Sequence, residues 1–224
     1  MLRGNIKISL LFWVGWPRIC LLFLVVGLSA CSAGKQPDYT RYYDRMPKSI
    51  LVVAPLNETA AIEATDRFMS TITAAVAEQG YYVFPLVLVD QMFKENGVVS
   101  PIEIRQVSAS KLYEIFGADA LLNISIRSWG TSYSVIHSST EVTLDYQLID
   151  LASGELLWSG SGRAVDSAQG SGGLGDIAAQ ALIHALASTM TDKEVELARQ
   201  ANYSALHNRR SGLLLGPRRP QTDK

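Results

Sequence analysis

Two stretches of the sequence decide the fold, ALLNISIRS at residues 120–128 and STEVTLDYQLID at residues 139–150. In both, apolar residues occupy every second position and polar residues lie between them. The apolar positions are Leu122, Ile124 and Ile126 in the first stretch and Val142, Leu144, Tyr146 and Leu148 in the second. Because successive side chains of a strand point to opposite faces, this pattern predicts two strands with one buried and one wet face.

A third strand follows after a turn. Residues 152–155, ASGE, have the composition of a turn, and residues 156–165 return with Trp158 on the apolar face. Three half-buried strands joined by short connections form an antiparallel meander.

The chain before residue 120 has the pattern of an α/β unit. SILVVAPL at residues 49–56 is a nearly continuous apolar run, which suits a strand covered on both faces. YYVFPL at residues 81–86 predicts a second strand, with Pro85 at its end or on an edge. Between them we predict a helix at residues 61–79 that ends at Gly80. Its apolar stripe is Ile62, Met69, Ile72 and Val76, flanked by Phe68 and Ala75.

Further helices complete the prediction. They cover residues 88–95, residues 108–116 with Ser108 as N-cap, an Ala-rich stretch at 176–190, and residues 191–208 after a capping box. The fold class is therefore α/β (an α+β sandwich), with a mixed sheet of about five strands and an antiparallel C-terminal meander packed against helices. We predict one domain at residues 48–208 and a loosely ordered tail at 209–224.

Residues 1–30 have the features of a signal peptide. Three basic residues and no acidic one accompany the apolar run ICLLFLVVGL at residues 19–28. That run is the length of a signal-peptide core and too short for a permanent membrane span.

The end of this segment, LSAC at residues 28–31, resembles the lipobox of bacterial lipoproteins. The resemblance implies cleavage between Ala30 and Cys31 and attachment of acyl chains to Cys31, which exceeds the marginal membrane binding of a single chain. Residues 31–47 would then be a lipidated tether. Ser32 is not aspartate, which by the same resemblance favours the periplasmic face of the outer membrane.

Two other interpretations of the N-terminus remain open. One is an ordinary signal peptide followed by an unrelated cysteine. The other is a retained membrane helix built from residues 8–16 and 19–30. Pro17 and Arg18 lie between these two apolar stretches and argue against one continuous membrane span.

Composition and motifs give no reason to expect a cofactor. The chain has 20 basic and 21 acidic residues, a balance that does not favour nucleic-acid binding. Residues 170–175 match G-x-G-x-x-G, but they follow the last strand of the meander instead of the first strand of a βαβ unit, so we expect no nucleotide site. The three histidines, His137, His184 and His207, lack metal-ligand spacing. We expect neither a metal nor a catalytic residue.

Four aromatic residues at strand ends or in the tether are candidates for protein contacts: Trp129, Tyr133, Tyr42 and Tyr43. Burial against the domain's own helices is the alternative for each of them.

Several segments together resemble a family of Gram-negative lipoproteins of unknown function. They are residues 47–57 (PKSILVVAPLN), 77–85 (AEQGYYVFP), 115–122 (IFGADALL), 129–133 (WGTSY) and 154–158 (GELLW). The resemblance covers about residues 46–190. The order of elements is also remotely similar to the N-terminal domain of TolB and to the periplasmic domain of curli-secretion-channel lipoproteins.

The resemblance implies a periplasmic domain used for binding or assembly, held to the membrane through lipid on Cys31. Other envelope lipoproteins or further copies of this chain are its expected partners. A subunit of a homo-oligomeric secretion or export channel is one alternative, and a periplasmic enzyme with a spatially assembled site is another. A binding module predicts an exposed apolar patch, whereas an enzyme predicts a deep pocket with perturbed ionisable groups.

Overall fold

The computed structural model describes residues 37–133, 137–169 and 193–219. The helices are α1 Thr40–Arg45, α2 Ala64–Glu78, α3 Leu86–Glu95, α4 Pro101–Gln106, α5 Ala109–Phe116 and α6 Lys193–Leu206. The strands are β1 Ser49–Val52, β2 Leu56–Asn57, β3 Tyr82–Val83, β4 Ala120–Tyr133, β5 His137–Asp150 and β6 Leu156–Gln169.

The strands form one mixed sheet in the order β3-β1-β4-β5-β6. β1 runs parallel to both β3 and β4, whereas β4, β5 and β6 form an antiparallel meander. β2 also pairs with β4 in parallel, at Ser125 and Ile126, beyond the point where the β1 pairing ends at Leu122. The predicted class and the C-terminal meander are confirmed, with six strands instead of about five.

Helices cover both faces of the sheet near β1 and β4. α2 and α6 pack on one face, where Phe68, Ile72 and Ala201 contribute to a core with Ile50 and Trp158. α3, α4 and α5 pack on the opposite face in a smaller core. Its members are Leu51, Val53, Val89, Phe93, Ile104, Leu112, Ala118, Leu121 and Leu151. β1 therefore alternates between two cores, which explains why its sequence is continuously apolar.

The predicted apolar face of the meander is confirmed. All seven alternating residues from Leu122 to Leu148 are at most 1% exposed. The opposite face is less exposed to solvent near β4 than expected, because Asn123 and Ser125 are also buried. Arg105 of α4 reaches over this part of the sheet and donates to the carbonyl oxygen of Ile124 and the hydroxyl of Ser125.

Two predicted boundaries before residue 120 are wrong. The helix predicted at residues 61–79 is α2, which begins at Ala64 and leaves Ile62 91% exposed. The strand predicted at residues 81–86 is only Tyr82–Val83, because Pro85 is the N-cap of α3 and Leu86 is already helical.

Helix caps explain one confirmed element and one that was missed. The Ser108 side chain accepts from the backbone N–H of Lys111, and Gly117 ends α5 in the left-handed conformation at φ 63°. α4 was not predicted, although Ser100 and Glu103 form a complete capping box and Pro101 occupies the first turn.

The described domain extends beyond residues 48–208 at both ends. Residues 40–45 of the predicted tether form α1, and residues 209–219 of the predicted tail pack on the domain, with Leu213 4% exposed. The Trp158 indole N–H donates to the carbonyl oxygen of Ser211 at 2.9 Å. The Gly-rich residues 170–175 and the helix predicted at 176–190 lie outside the described residues.

Candidate functional site

The predicted lipidation site lies outside the described residues. Cys31 and Ala30 precede Pro37, the first residue that the structure describes. In the described part of the chain no helix is long and apolar enough to cross a membrane.

The four aromatic candidates do not form one exposed surface. Trp129 is 7% exposed and Tyr42 is 4% exposed, so both are core residues and neither is an exposed contact residue. Tyr43 is 63% exposed and remains a candidate. Tyr133 lies near the end of β4, and its side chain is outside the described part.

The tyrosines near the start of the domain instead join its two ends. The Tyr39 hydroxyl donates to the carbonyl oxygen of Gly212 at 2.6 Å. The Tyr42 hydroxyl is hydrogen-bonded to that of Tyr81, which donates to the carbonyl oxygen of Leu214. Burial raises the pKa of the Tyr42 hydroxyl well above its usual range, so it stays protonated.

A groove of about 390 Å³ lies where these two ends meet. It is lined by Tyr42, Met46, Pro47 and Lys48 on one side and by Leu215, Gly216, Pro217 and Arg219 on the other. We call it the terminal groove. Met46 is 63% exposed and Leu215 is 62% exposed, and none of the eight lining residues is acidic.

A second cavity, the polar cleft, has a volume of about 480 Å³ on the open face of the meander. Its lining is Glu58, Arg105, Asn123, Ser125, Arg127, Asp145, Tyr146, Gln147, Ser159, Gly160 and Ser161. At its rim Arg127 forms ion pairs with Glu58 and Asp145. Two buried polar atoms of the lining, Arg105 Nε and Asn123 Oδ1, have no hydrogen-bond partner among the described residues.

The polar cleft is better suited to binding than to acid–base chemistry. The two carboxylates among its described lining residues are paired with Arg127, and none of these lining residues is a histidine or cysteine. The hydrogen bond that Arg127 donates to Asp145 raises the pKa of its guanidinium, and burial lowers the pKa of Arg105. A guanidinium group stays protonated in proteins, so neither arginine supplies the proton donor or acceptor near neutral pH that general acid–base catalysis requires.

The third candidate is a set of exposed apolar side chains on and between the helices that cover the second core. Its side chains are 40–77% exposed and come from residues 87–115: Val87, Leu88, Met92, Val99, Ile102, Tyr113 and Ile115. We call this set the α3–α5 surface. The helical stripe of α3 accounts for part of it, since Val89 and Phe93 fill the buried side while Leu88 and Met92 point outward.

The described residues hold no group of three or more potential metal ligands. His207 has a structural environment, because its ring stacks on Tyr203 at 4.2 Å and its Nε2 atom lies 3.9 Å from a carboxylate oxygen of Glu78.

Comparison with known proteins gives a consistent result. The family model described as "Putative lipoprotein GNA1162-like" matches residues 37–218. The match is wider than the resemblance at residues 46–190 and includes the lining residues of the terminal groove except Arg219. A protein of Neisseria meningitidis serogroup B, named "Putative lipoprotein NMB1124/NMB1162", is 38% identical over 209 residues, which are 90% of this chain and 96% of the relative.

Two solved structures are also similar. The crystal structure of lipoprotein GNA1162 from Neisseria meningitidis has 37% sequence identity and a TM-score of 0.53, and the match covers 64% of this chain and 98% of that one. A PelC dodecamer from Paraburkholderia phytofirmans is more distant, with 15% identity and a TM-score of 0.39 over 75% of this chain and 91% of that one.

Proposed function

Because the chain belongs to the GNA1162-like lipoprotein family, we propose that it is anchored through acyl chains on Cys31 to the periplasmic face of the outer membrane. There it serves as a non-catalytic binding or assembly component of an envelope complex. The proposal combines the lipobox at residues 28–31 with the surfaces of the described domain.

The α3–α5 surface is the observation that carries the binding role. Water-exposed apolar side chains are normal when scattered singly, but a concentration of them on one layer of helices marks a contact surface. Here seven such side chains belong to a stretch of 29 residues, from Val87 to Ile115. A protein partner that buries them would gain about 25 cal/mol for each Å² of apolar area removed from water.

The polar cleft supports a non-catalytic role. Its charged groups already neutralise one another through Arg127, so the cleft presents hydroxyl and amide groups without a free base. This chemistry fits recognition of a polar segment or small molecule better than proton transfer.

Site-specific photo-cross-linking in cells tests the binding role. A photoreactive amino acid replaces Leu88, which is 62% exposed on the α3–α5 surface, and in a matched strain it replaces Ile62, which is 91% exposed before α2. We expect a discrete cross-linked product from position 88 and none from position 62. Equal labelling from both positions, or none from either, would contradict the proposal.

The mass of that product separates the two classes of partner. A product with another envelope protein supports a hetero-complex. A product of twice the mass of the chain supports self-association, as the alternative of a homo-oligomeric channel subunit requires.

A further inference from the structure

We propose that the terminal groove is a membrane-docking surface that holds the domain against anionic phospholipid headgroups. The inference rests on the proposed function, because lipid on Cys31 is what brings the groove to the bilayer. It adds that side chains of the domain itself bind the membrane surface, in addition to the lipid on Cys31.

The length of the connection places the groove near the bilayer. Only five residues, 32–36, separate Cys31 from Pro37, where the described domain begins. Since an extended chain spans at most about 3.5 Å per residue, Pro37 lies within about 20 Å of the acylated residue. Five residues further, Tyr42 of α1 already lines the groove. The groove is therefore within reach of the headgroups.

The side chains of the groove suit the boundary between headgroups and acyl chains. Met46 and Leu215 are more than half exposed and line the same concavity from its two sides. Apolar side chains that penetrate the edge of the acyl region contribute to interfacial binding in proportion to their buried area.

The charge of the groove selects anionic lipid. Lys48 and Arg219 line it, and none of its described lining residues is a carboxylate. The polar cleft differs in this respect, because there Arg127 is neutralised by two carboxylates. Each cation close to an anionic bilayer strengthens binding about fivefold at low ionic strength, so the two together account for about 30-fold.

The groove is also preformed. The Tyr39 and Tyr81 hydroxyls bind carbonyl oxygens of the C-terminal segment, and the backbone N–H of Gly216 donates to the carbonyl oxygen of Gln79 at 2.8 Å. Both walls are therefore fixed before a membrane is present, which lowers the conformational entropy lost on docking.

Vesicle binding by the complete mature chain from residue 31, with Cys31→Ser so that no lipid can be attached, tests the inference. Co-sedimentation is measured with vesicles of phosphatidylcholine alone and with vesicles in which a quarter of the lipid is phosphatidylglycerol. We expect binding to the anionic vesicles that falls about 30-fold in Lys48→Gln/Arg219→Gln. Met46→Ser/Leu215→Ser should weaken it about tenfold, since each truncation removes apolar area from the interface.

Matched variants serve as controls. Ile62→Ser/Val165→Ser removes apolar side chains that are 91% and 42% exposed and lie outside both the terminal groove and the α3–α5 surface, and Lys111→Gln/Arg199→Gln removes exposed cations from α5 and α6. Neither should change vesicle binding, and thermal unfolding confirms that each variant is folded. No binding to anionic vesicles, or an equal loss in groove and control variants, would overturn the inference. Because the assay uses chains without lipid, its result is separate from whether Cys31 is acylated, which intact mass decides.

Discussion

The Tyr39 hydroxyl donates to the carbonyl oxygen of Gly212 at 2.6 Å, which ties the start of the domain to its C-terminal segment across 173 positions of sequence. The hydrogen bonds of Tyr42, Tyr81 and Leu214 repeat this connection. These hydrogen bonds hold the segment around α1 to residues 212–214 of the C-terminal segment.

Gly216→Ala should release the C-terminal segment. A Cβ atom at position 216 would lie 2.5 Å from the carbonyl oxygen of Gly80 and 2.7 Å from its carbonyl carbon. Because both atoms belong to the backbone, the C-terminal segment would have to move. We expect a loss of about 1–3 kcal/mol in the free energy of unfolding, measured with urea. Pro217→Ala, at an exposed neighbouring position, is the control and should stay within about 0.5 kcal/mol of wild type.

Asp119→Ala should weaken the junction of β1 and β4. One carboxylate oxygen of Asp119 accepts from the backbone N–H groups of Lys48 and Ser49 and from the Ser49 hydroxyl, at 2.8–2.9 Å. These hydrogen bonds give a physical reason for an aspartate at the end of residues 115–119, IFGAD. We expect a loss of about 1–3 kcal/mol. Glu114→Ala, on the exposed side of α5, should have little effect, and equal losses in the two variants would contradict the assignment.

Asn202→Ala should be more damaging, because Asn202 is fully buried between two helices and the sheet. Its Oδ1 atom accepts from the Tyr146 hydroxyl at 2.6 Å, and its Nδ2 atom donates to the Thr71 hydroxyl at 2.9 Å. Removing the amide leaves the buried Tyr146 hydroxyl without its acceptor, at a cost near the upper end of about 1–3 kcal/mol. Gln200→Ala on the exposed side of α6 is the matched control. Surface substitutions usually change the free energy of unfolding by less than about 0.5 kcal/mol. A loss for Asn202→Ala no larger than that would contradict the network.

The lowered pKa of His207 predicts that the free energy of unfolding falls as the pH is lowered. Burial lowers the pKa of the imidazole, an effect that nearby Glu78 opposes and Arg219 reinforces. Below the usual histidine pKa of about 6.5 the unfolded chain therefore binds more protons than the folded one, and stability falls until the folded-state pKa is reached. Urea unfolding at pH 7.5 and about pH 5.5 should show a smaller decrease for His207→Gln than for wild type. An equal decrease would contradict the assignment.

The fold was predictable where one periodicity dominates. The alternation from Leu122 to Leu148 predicted the meander and its buried face, and Ser108 and Gly117 correctly marked α5. Boundaries failed where a proline acts locally. Pro85 begins α3 instead of continuing a strand, and the run at residues 49–56 divides into β1 and β2 around Pro55.

The surfaces were less predictable, because they depend on contacts between distant segments. Trp129 and Tyr42 looked like exposed aromatics, but the core covers them. The tail from residue 209 looked unstructured because it is rich in arginine and glycine, yet Leu213 and the carbonyl oxygens of its backbone find partners on the domain. No local sequence pattern predicts contacts between segments so far apart in the chain.

The anchor at Cys31 is the central claim, and intact mass spectrometry of the purified mature protein tests it most directly. Wild type and Cys31→Ala are expressed at full length and fractionated in parallel. The account predicts that wild type begins at residue 31, carries the added mass of acyl chains and is found with outer membranes, whereas Cys31→Ala is unacylated and leaves that fraction. A wild-type chain without lipid, or one that fractionates like Cys31→Ala, would contradict the account.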